Sequence, residues 1–298
     1  MSECIIRRLY TLHAMHKIQS LNQKIEKDYY DRDFYNLLHD YAQQSAEVIV
    51  PLILEIIRCE RVIDVGCGDG TWLKVFQENG VKEILGVDGS YVDEQILVIP
   101  KENFIPHDLK QPLKIANKLD LAMSLEVAEH LPTDCAELFV DSLANLSSVI
   151  LFSAAIPNQG GENHINEQWQ DYWAEKFQER GYIAFDYIRP KIWNTSQVAY
   201  WYRQNILLFV ESSYLKENPF LQNKLQSYEV KDISSLSVIH PALYLIKIGA
   251  ISWEDVHNLD LSLPTKKEIN NSNQIKNHPG ILSRLKRIIN TFKRENEL

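Results

Sequence analysis

The sequence predicts an α/β fold in which a mostly parallel sheet carries helices on both of its faces. Short apolar runs typical of buried strands alternate with helical patterns from about residue 61 to residue 190. A turn with three glycines follows the first of these runs and leads into a helical pattern. Because 45% of the 298 residues are hydrophobic, the chain can bury a core of ordinary size.

The spacing of apolar residues predicts the helices and strands in chain order. Residues 5–27 have a helical pattern, and residues 34–57 contain two more before Arg61 opens the first strand. Residues 214–228 and 242–251 also have helical patterns. The later strands are predicted at residues 84–88, 121–126, 149–153, 182–188 and 205–210.

Composition excludes several classes of protein. The net charge of −9 opposes a broad nucleic-acid surface, because phosphate binding depends on clustered Lys and Arg. The most apolar run, residues 48–57, is broken by Pro51 and Glu55, so neither secretion nor membrane spanning is expected. The four cysteines show no metal-ligand pairing, which fits a reducing cytoplasm. These features favour a cytoplasmic protein with a small or neutral acceptor.

The turn at residues 64–70 is the most informative motif of the chain. Its pattern is D-x-G-x-G-x-G, with Asp64 ahead of glycines at alternate positions, and alternate glycines let the backbone approach a ligand closely. It lacks the Lys of a phosphate-binding loop, and its spacing differs from the G-x-G-x-x-G of nicotinamide-binding folds. The motif suits a cofactor with an ammonium, a carboxylate and a ribose but no pyrophosphate.

With the acids that follow it, this motif resembles the class I methyltransferases that use S-adenosylmethionine (SAM). The resemblance covers residues 28–211 and implies a Rossmann-like seven-stranded sheet of order 3-2-1-4-5-7-6 with the last strand antiparallel. It also implies that Asp88 holds both ribose hydroxyls, that Asp108 lies near the adenine amine, and that the fourth strand passes beneath the cofactor. The cofactor-binding residues expected from the resemblance are Asp64, Gly66, Gly68, Gly70, Asp88, Asp108, Leu109, Leu125 and Glu126.

The chemistry requires a group that removes the acceptor's proton while acceptor and methyl group are held in line. In a doubly wound sheet, the loops after the fourth and fifth strands, residues 126–130 and 160–164, face the reactive crevice. They supply His130 and His164 as candidate bases. His164 is the stronger candidate because it lies in a glycine-rich loop, where burial in a core is not expected.

The first loop also has metal-ligand character. If a helix begins after Glu126, then Glu126, Glu129 and His130 share one face. This E-x-x-E-H arrangement is similar to the metal motif of Hen1-type RNA methyltransferases and ubiquinone-pathway O-methyltransferases, in which a downstream His completes the site; here that is His164. Mg²⁺ or Mn²⁺ suits such ligands, as does Zn²⁺ if the acids bind singly. A metal-free His base and purely structural histidines are the alternatives.

Aromatic residues surround these loops, with Arg203 beside them. They could hold a planar acceptor whose carboxylate meets Arg203, or they could pack a helix on the sheet. Residues 164–169 and 201–205 resemble segments of methyltransferases from bacterial natural-product and polysaccharide clusters. The aromatic residues are Trp169, Tyr172, Trp173, Trp193, Tyr200, Trp201 and Tyr202.

Beyond the resemblance, residues 212–261 predict a helical extension and residues 262–280 a polar linker. The apolar spacing of residues 281–298 predicts a basic amphipathic helix. This tail could dock on its own domain or form a homodimer contact, bind a partner, or lie on a membrane surface.

The sequence thus predicts SAM-dependent methylation of an oxygen on a small-molecule acceptor. The alternatives are an N-methyltransferase acting on a small amine or peptide, a Hen1-like RNA end methyltransferase, and a non-catalytic SAM-binding partner subunit.

Overall fold

The computed structural model describes residues 32–249, with side chains from residue 39 onward. These residues all belong to the first of two units into which the chain divides, Met1–Leu259 and Asp260–Leu298. The helix predicted at residues 5–27, the linker at 262–280 and the amphipathic tail lie outside the described residues. None of the described helices is both long and apolar enough to cross a bilayer.

A seven-stranded sheet of order β3-β2-β1-β4-β5-β7-β6 forms the centre of the fold, which confirms the predicted α/β architecture and strand order. The first five strands run parallel, whereas β7 lies antiparallel between β5 and β6. The strands are β1 Arg61–Val65, β2 Glu83–Asp88, β3 Phe104–Pro106, β4 Leu121–Leu125, β5 Val149–Ser153, β6 Tyr182–Phe185 and β7 Leu207–Glu211.

The sheet is covered on both faces, so its central strands are buried along their whole length. Every residue of β4 and of β5 is buried. The longer described helices are α1 Arg32–Leu54, α2 Thr71–Glu78, α3 Ala136–Leu146 and α4 Gln170–Glu179. The shorter ones are α5 Arg189–Ile192, α6 Tyr200–Asn205, α7 Ser212–Glu217, α8 Pro219–Leu225 and α9 Pro241–Lys247.

Two apolar cores separate the layers. Ile49 and Ile53 of α1 pack with Phe76 of α2 in one cluster. Phe139 of α3 and Phe177 of α4 belong to the other, where the ring of Phe177 stacks on Phe209 of β7 with centroids 4.2 Å apart. Burial of these side chains is the main force that fixes the helices on the sheet.

Several predicted boundaries were wrong. Residues 34–57 hold one continuous helix rather than two, because Pro51 falls in the last turn of α1, where it interrupts little of the helix. Residues 214–228 are divided because Pro219 cannot continue α7 and forces Asn218 out of helical geometry. The seventh strand begins at Leu207 rather than Asn205, since the preceding residues form α6.

The topology brings the site to one edge of the sheet. The carboxyl ends of β1, β2, β4 and β5 meet there. Because β7 is antiparallel, its first residue, Leu207, pairs with Phe152 near the end of β5. Helix α6 ends just before β7 begins, so it lies at the same edge as the loops that follow β4 and β5.

Candidate active site

The glycine turn between β1 and α2 has the expected strand-turn-helix form. Gly66, Gly68 and Gly70 have φ values of 87°, 56° and 88°, in the left-handed region that favours glycine. A Cβ on Gly66 would lie 2.3 Å from Val127, and one on Gly70 would lie 2.8 Å from Ile99. Both space and backbone geometry therefore require glycine at these two positions. The amides of Gly66 and Gly70 donate to the carbonyls of Val87 and Cys67, which fixes the shape of the turn.

Asp88 closes β2 beside this turn. Its side chain is buried, and one oxygen accepts a hydrogen bond from the Gly68 amide at 2.8 Å. The other accepts from the Gly89 amide and the Tyr91 hydroxyl, each at 2.6 Å. The Tyr91 ring is itself 82% exposed. A ligand hydroxyl could replace that exposed donor without disturbing the backbone contacts.

Asp64 is a second buried carboxyl, two residues before Gly66. Burial raises its pKa well above the usual range, and the charges of Asp88 and Asp69 raise the pKa further. Within the described part of the chain, no residue forms a hydrogen bond or an ion pair with its side chain. A ligand ammonium would supply the missing positive charge, so the turn fits the cofactor predicted from the sequence.

The other residues expected to bind cofactor lie around the same edge. Asp108 follows β3 and is half-exposed, and the preceding His107 amide donates to the Asp88 carbonyl at 2.7 Å. Leu109 is buried in the core. Leu125 is the last residue of β4 and is also buried.

Glu126 differs from the sequence interpretation. Its φ of 56° places it outside any helix, and only Ala128–His130 form a single 3-10 turn instead of the expected α-helix. Its carboxylate turns toward α6 and accepts from Asn205 Nδ2 at 3.0 Å and from Gln159 Nε2 at 2.8 Å. Burial raises the pKa of Glu126, and these amide hydrogen bonds oppose that rise. The two amides therefore engage the Glu126 carboxylate, which is not among the three candidate metal-ligand groups that come together.

Glu129, His130 and His164 do come together. Each offers a ligand atom, and these atoms lie within 4.8 Å of one another. The imidazole rings of His130 and His164 meet edge to face with centroids 4.8 Å apart. The Ile165 and Asn166 amides donate to the Glu129 carbonyl at 2.9 and 3.0 Å, which joins the loop after β5 to the 3-10 turn after β4.

The electrostatics of this cluster favour a cation. Glu129 is fully buried; its Oε1 accepts from the Ala155 amide, but its Oε2 has no partner among the described residues. Burial raises the pKa of Glu129 well above the usual range, and Glu126 adds to this effect. Burial, followed by the neighbouring His164, lowers the pKa of His130. One carboxylate with two imidazoles suits Mn²⁺ or Zn²⁺ better than Mg²⁺, which prefers oxygen ligands.

Glu167 is a residue of the site that the sequence interpretation missed. Its Oε1 lies 3.0 Å from His164 Nδ1 and also accepts from the Gly160 amide at 2.8 Å. A carboxylate at Nδ1 places the proton on that nitrogen and leaves a lone pair on Nε2. A Cβ on Gly161 would lie 2.2 Å from His164 Nε2, so this glycine leaves space for the ring. The His-x-x-Glu spacing was the available signal in the sequence.

The aromatic residues do not form one wall. Trp173 is buried beside Phe152 in one core, whereas Tyr202 packs on Trp72 in the other. For these residues the packing alternative is confirmed. Trp169 remains 38% exposed at the start of α4.

Comparison with known proteins assigns the family. No curated protein matches the chain. Among solved structures, the methyltransferase domain of a bacterial Hen1 is 19% identical over 57% of this chain and 98% of its own, with a TM-score of 0.41. Magnesium protoporphyrin IX methyltransferase from Synechocystis is 17% identical over 64% and 100%, with a TM-score of 0.42. Human N-acetylserotonin methyltransferase is 14% identical over 55% and 50%, with a TM-score of 0.40.

A family model described as a methyltransferase domain matches residues 32–195, more than half of the 298 residues. The matched range contains the glycine turn, the acid that closes β2, and the cluster after β4 and β5. The chain therefore belongs to the SAM-dependent methyltransferases.

Proposed function

We propose that the chain transfers a methyl group from SAM to an oxygen atom of a small-molecule acceptor. The observation that supports this most directly is the convergence of Glu129, His130 and His164 within 4.8 Å at the carboxyl edge of the sheet. That edge also carries the glycine turn. The two halves of a methyl transfer, a donor site and a group that handles the acceptor's proton, are thus adjacent.

On the donor side, the residues of the turn and of β2 bind and orient. Asp88 would accept hydrogen bonds from the ribose hydroxyls, and Asp64 would balance the ammonium of the methionine moiety. SAM supplies a methyl group on a sulfonium, which is electrophilic without further activation. The remaining task of the protein is to place the acceptor in line and to remove its proton.

On the acceptor side, His164 provides the proton acceptor. Glu167 holds its Nδ1, so the lone pair that can take a hydroxyl proton is the one on Nε2, the nitrogen beside Gly161. A hydroxyl needs this deprotonation to become a good nucleophile, whereas a neutral amine already offers a lone pair. The His–carboxylate pair is the reason to favour oxygen over nitrogen.

The same cluster would hold a divalent cation. Glu129 Oε2, His130 and His164 Nε2 are the groups that would bind Mn²⁺ or Zn²⁺, and the unpartnered buried Oε2 fits that role. Such an ion would lower the pKa of a bound hydroxyl. Glu126 would take no part in it, because its carboxylate is engaged by Asn205 and Gln159.

The acceptor is proposed to be small. The net charge of −9 opposes an RNA substrate, for which phosphate contacts would be required. The roles of the tail as a homodimer, partner or membrane contact fall on residues outside the described range and stay predictions.

The first experiment is His164→Ala in the full chain, with Glu162→Gln on the same loop as the control. We expect SAM affinity to persist and turnover to fall by roughly 10²–10⁴-fold, because only proton removal or metal binding is lost. Mass spectrometry with isotopically labelled SAM and matched phenol and aniline acceptors reads out which atom is methylated. Labelling of the aniline alone would contradict the assignment to oxygen.

Removal of metal by a chelator distinguishes a metal-dependent reaction from one in which His164 acts as a metal-free base. If a cation participates, EDTA should abolish turnover and Mn²⁺ or Zn²⁺ should restore it, and elemental analysis should find less metal in Glu129→Ala than in the wild type. Full turnover in EDTA, with no metal found, would leave His164 acting as a metal-free base.

A further inference from the structure

Arg203 is a buried cation that has no partner among the residues that the structure describes. It lies on α6 and is 0% exposed, yet no described residue accepts a hydrogen bond from its Nε, Nη1 or Nη2. Burial lowers its pKa to about 10, which still leaves it charged at neutral pH. A buried guanidinium that lacks both an anion and hydrogen-bond acceptors is strongly disfavoured.

A second arginine shows how this fold satisfies a buried guanidinium. Arg189 is 2% exposed and forms two parallel hydrogen bonds to Asp186, at 2.9 and 2.8 Å. Its Nη1 also donates to the carbonyls of Gln204 and Leu236, at 3.1 and 2.9 Å. The contrast shows that Arg203 lacks, within the described residues, every kind of partner that Arg189 has.

The two residues that follow Arg203 on α6 contact the active site. Two residues further along α6, Asn205 donates to Glu126 at 3.0 Å. Gln204 donates to Gln159 at 3.0 Å, on the loop that leads to His164. On its other side is His240, whose pKa is lowered to about 3 by burial and by the charge of Arg203. His240 therefore supplies no negative charge to Arg203.

We propose that Arg203 binds a carboxylate of the acceptor, so that the substrate is a hydroxy acid or another oxygen acceptor bearing a carboxylate. This inference rests on the proposed function, because it names the substrate class of the same site. A carboxylate matches the guanidinium fork with two parallel hydrogen bonds and neutralises its single charge. A phosphate dianion would instead add net negative charge to a site that already contains the buried acids Asp64, Asp88 and Glu129.

The test measures thermal unfolding of the full chain with SAM present, so that it needs no methyl transfer. The probes are 4-hydroxybenzoate and its neutral isostere 4-hydroxybenzamide. We expect the acid to raise the Tm of the wild type by about 3 °C or more and the amide to leave the Tm unchanged. Arg203→Met and Arg203→Gln should abolish the response, whereas Glu162→Gln should keep it.

The unliganded variants provide an independent readout. Arg203→Met should melt higher than the wild type, since it replaces an unpaired buried cation with an apolar side chain, whereas Arg189→Met should melt lower. A loss of Tm in Arg203→Met comparable to that of Arg189→Met would overturn the proposal, as would equal responses of the wild type to acid and amide, or no response to either. A larger Tm rise with inorganic phosphate would overturn the assignment to a carboxylate. Oxygen methylation could still be observed in each of these cases.

Discussion

The cofactor half and the acceptor half of the site are constructed differently. The cofactor half is a contiguous turn whose shape is set by backbone conformation at Gly66 and Gly70. The acceptor half is held by side chains that come from distant positions, such as Asn205 and Glu126, which are 79 residues apart in the chain. A contiguous turn is encoded locally, whereas the acceptor half exists only after the sheet has formed.

The two halves also differ in charge. Asp64 and Asp88 give the cofactor half two buried carboxyl groups, which suits a cationic donor. The acceptor half contains the buried cation Arg203 in addition to the carboxyl groups of Glu129 and Glu167. The two ligands therefore depend on different charged residues, and substitutions should affect one ligand at a time.

The largest expected effect is on the cofactor half. Asp88→Ala should remove two charge-assisted hydrogen bonds, each worth roughly 1.5–3 kcal/mol, and so weaken SAM binding by about 10²–10⁴-fold. Calorimetric titration with SAM measures this change. Glu94→Ala removes an exposed carboxylate a few residues away and should bind SAM normally. Unchanged affinity in Asp88→Ala would refute the assignment of β2 to the cofactor half.

A smaller effect is expected in the acceptor half. Glu167→Gln removes the carboxylate that holds His164 Nδ1 and should lower kcat by about 10–100-fold, with the KM for SAM unchanged. Nitrogen NMR of the histidines should show the His164 proton leaving Nδ1. Glu162→Gln is the control on the same loop. If kcat falls but the tautomer stays on Nδ1, Glu167 does not act through His164.

The smallest expected effect is on the pH dependence of folding stability, through His240 at the border of the acceptor half. His240 Nδ1 accepts from the Ala242 amide at 3.2 Å, and its Nε2 donates to the Trp193 carbonyl at 2.9 Å. Its pKa is about 3 in the fold, against about 6.5 in an unfolded chain. The unfolded state binds more protons between these values, so this residue makes stability fall as the pH falls from 6.5 toward 3.

His240→Asn keeps a capping side chain ahead of α9 and removes the titrating ring. The free energy of unfolding, measured by urea titration from pH 7 to pH 4.5, should fall less steeply in this variant. The difference in slope should reach at most about 1.4 kcal/mol per pH unit, the value for one proton. Parallel curves for variant and wild type would mean that His240 titrates normally in the fold.

Much of the fold and of the candidate site could be predicted from the sequence. The bounds of β5, residues 149–153, agree with the prediction because a fully buried strand is a continuous apolar run. The glycine turn was recognisable because its ligand-facing geometry depends on glycines at fixed spacing. His130, His164 and Glu129 were also brought together as expected.

The rest depended on tertiary contacts. Periodicity placed Glu126 on a helix face, but the hydrogen bonds from Asn205 and Gln159 hold it in a left-handed conformation instead. Such contacts join segments 33 and 79 residues apart, and no local pattern encodes them. The full burial of Arg203 likewise depends on how α6 packs in the folded chain, which a local sequence pattern does not encode.

The amides around Glu126 determine where a proton can go. Gln159, Gln204 and Asn205 form a chain of hydrogen bonds on the interior side of the site, and amide side chains do not relay protons at neutral pH. His164 and Glu167 are partly exposed, at 12% and 18% of their side chains, in the loop after β5. A proton released from the acceptor should therefore pass to water through His164 and Glu167, on the loop after β5. The buried amides should not conduct it.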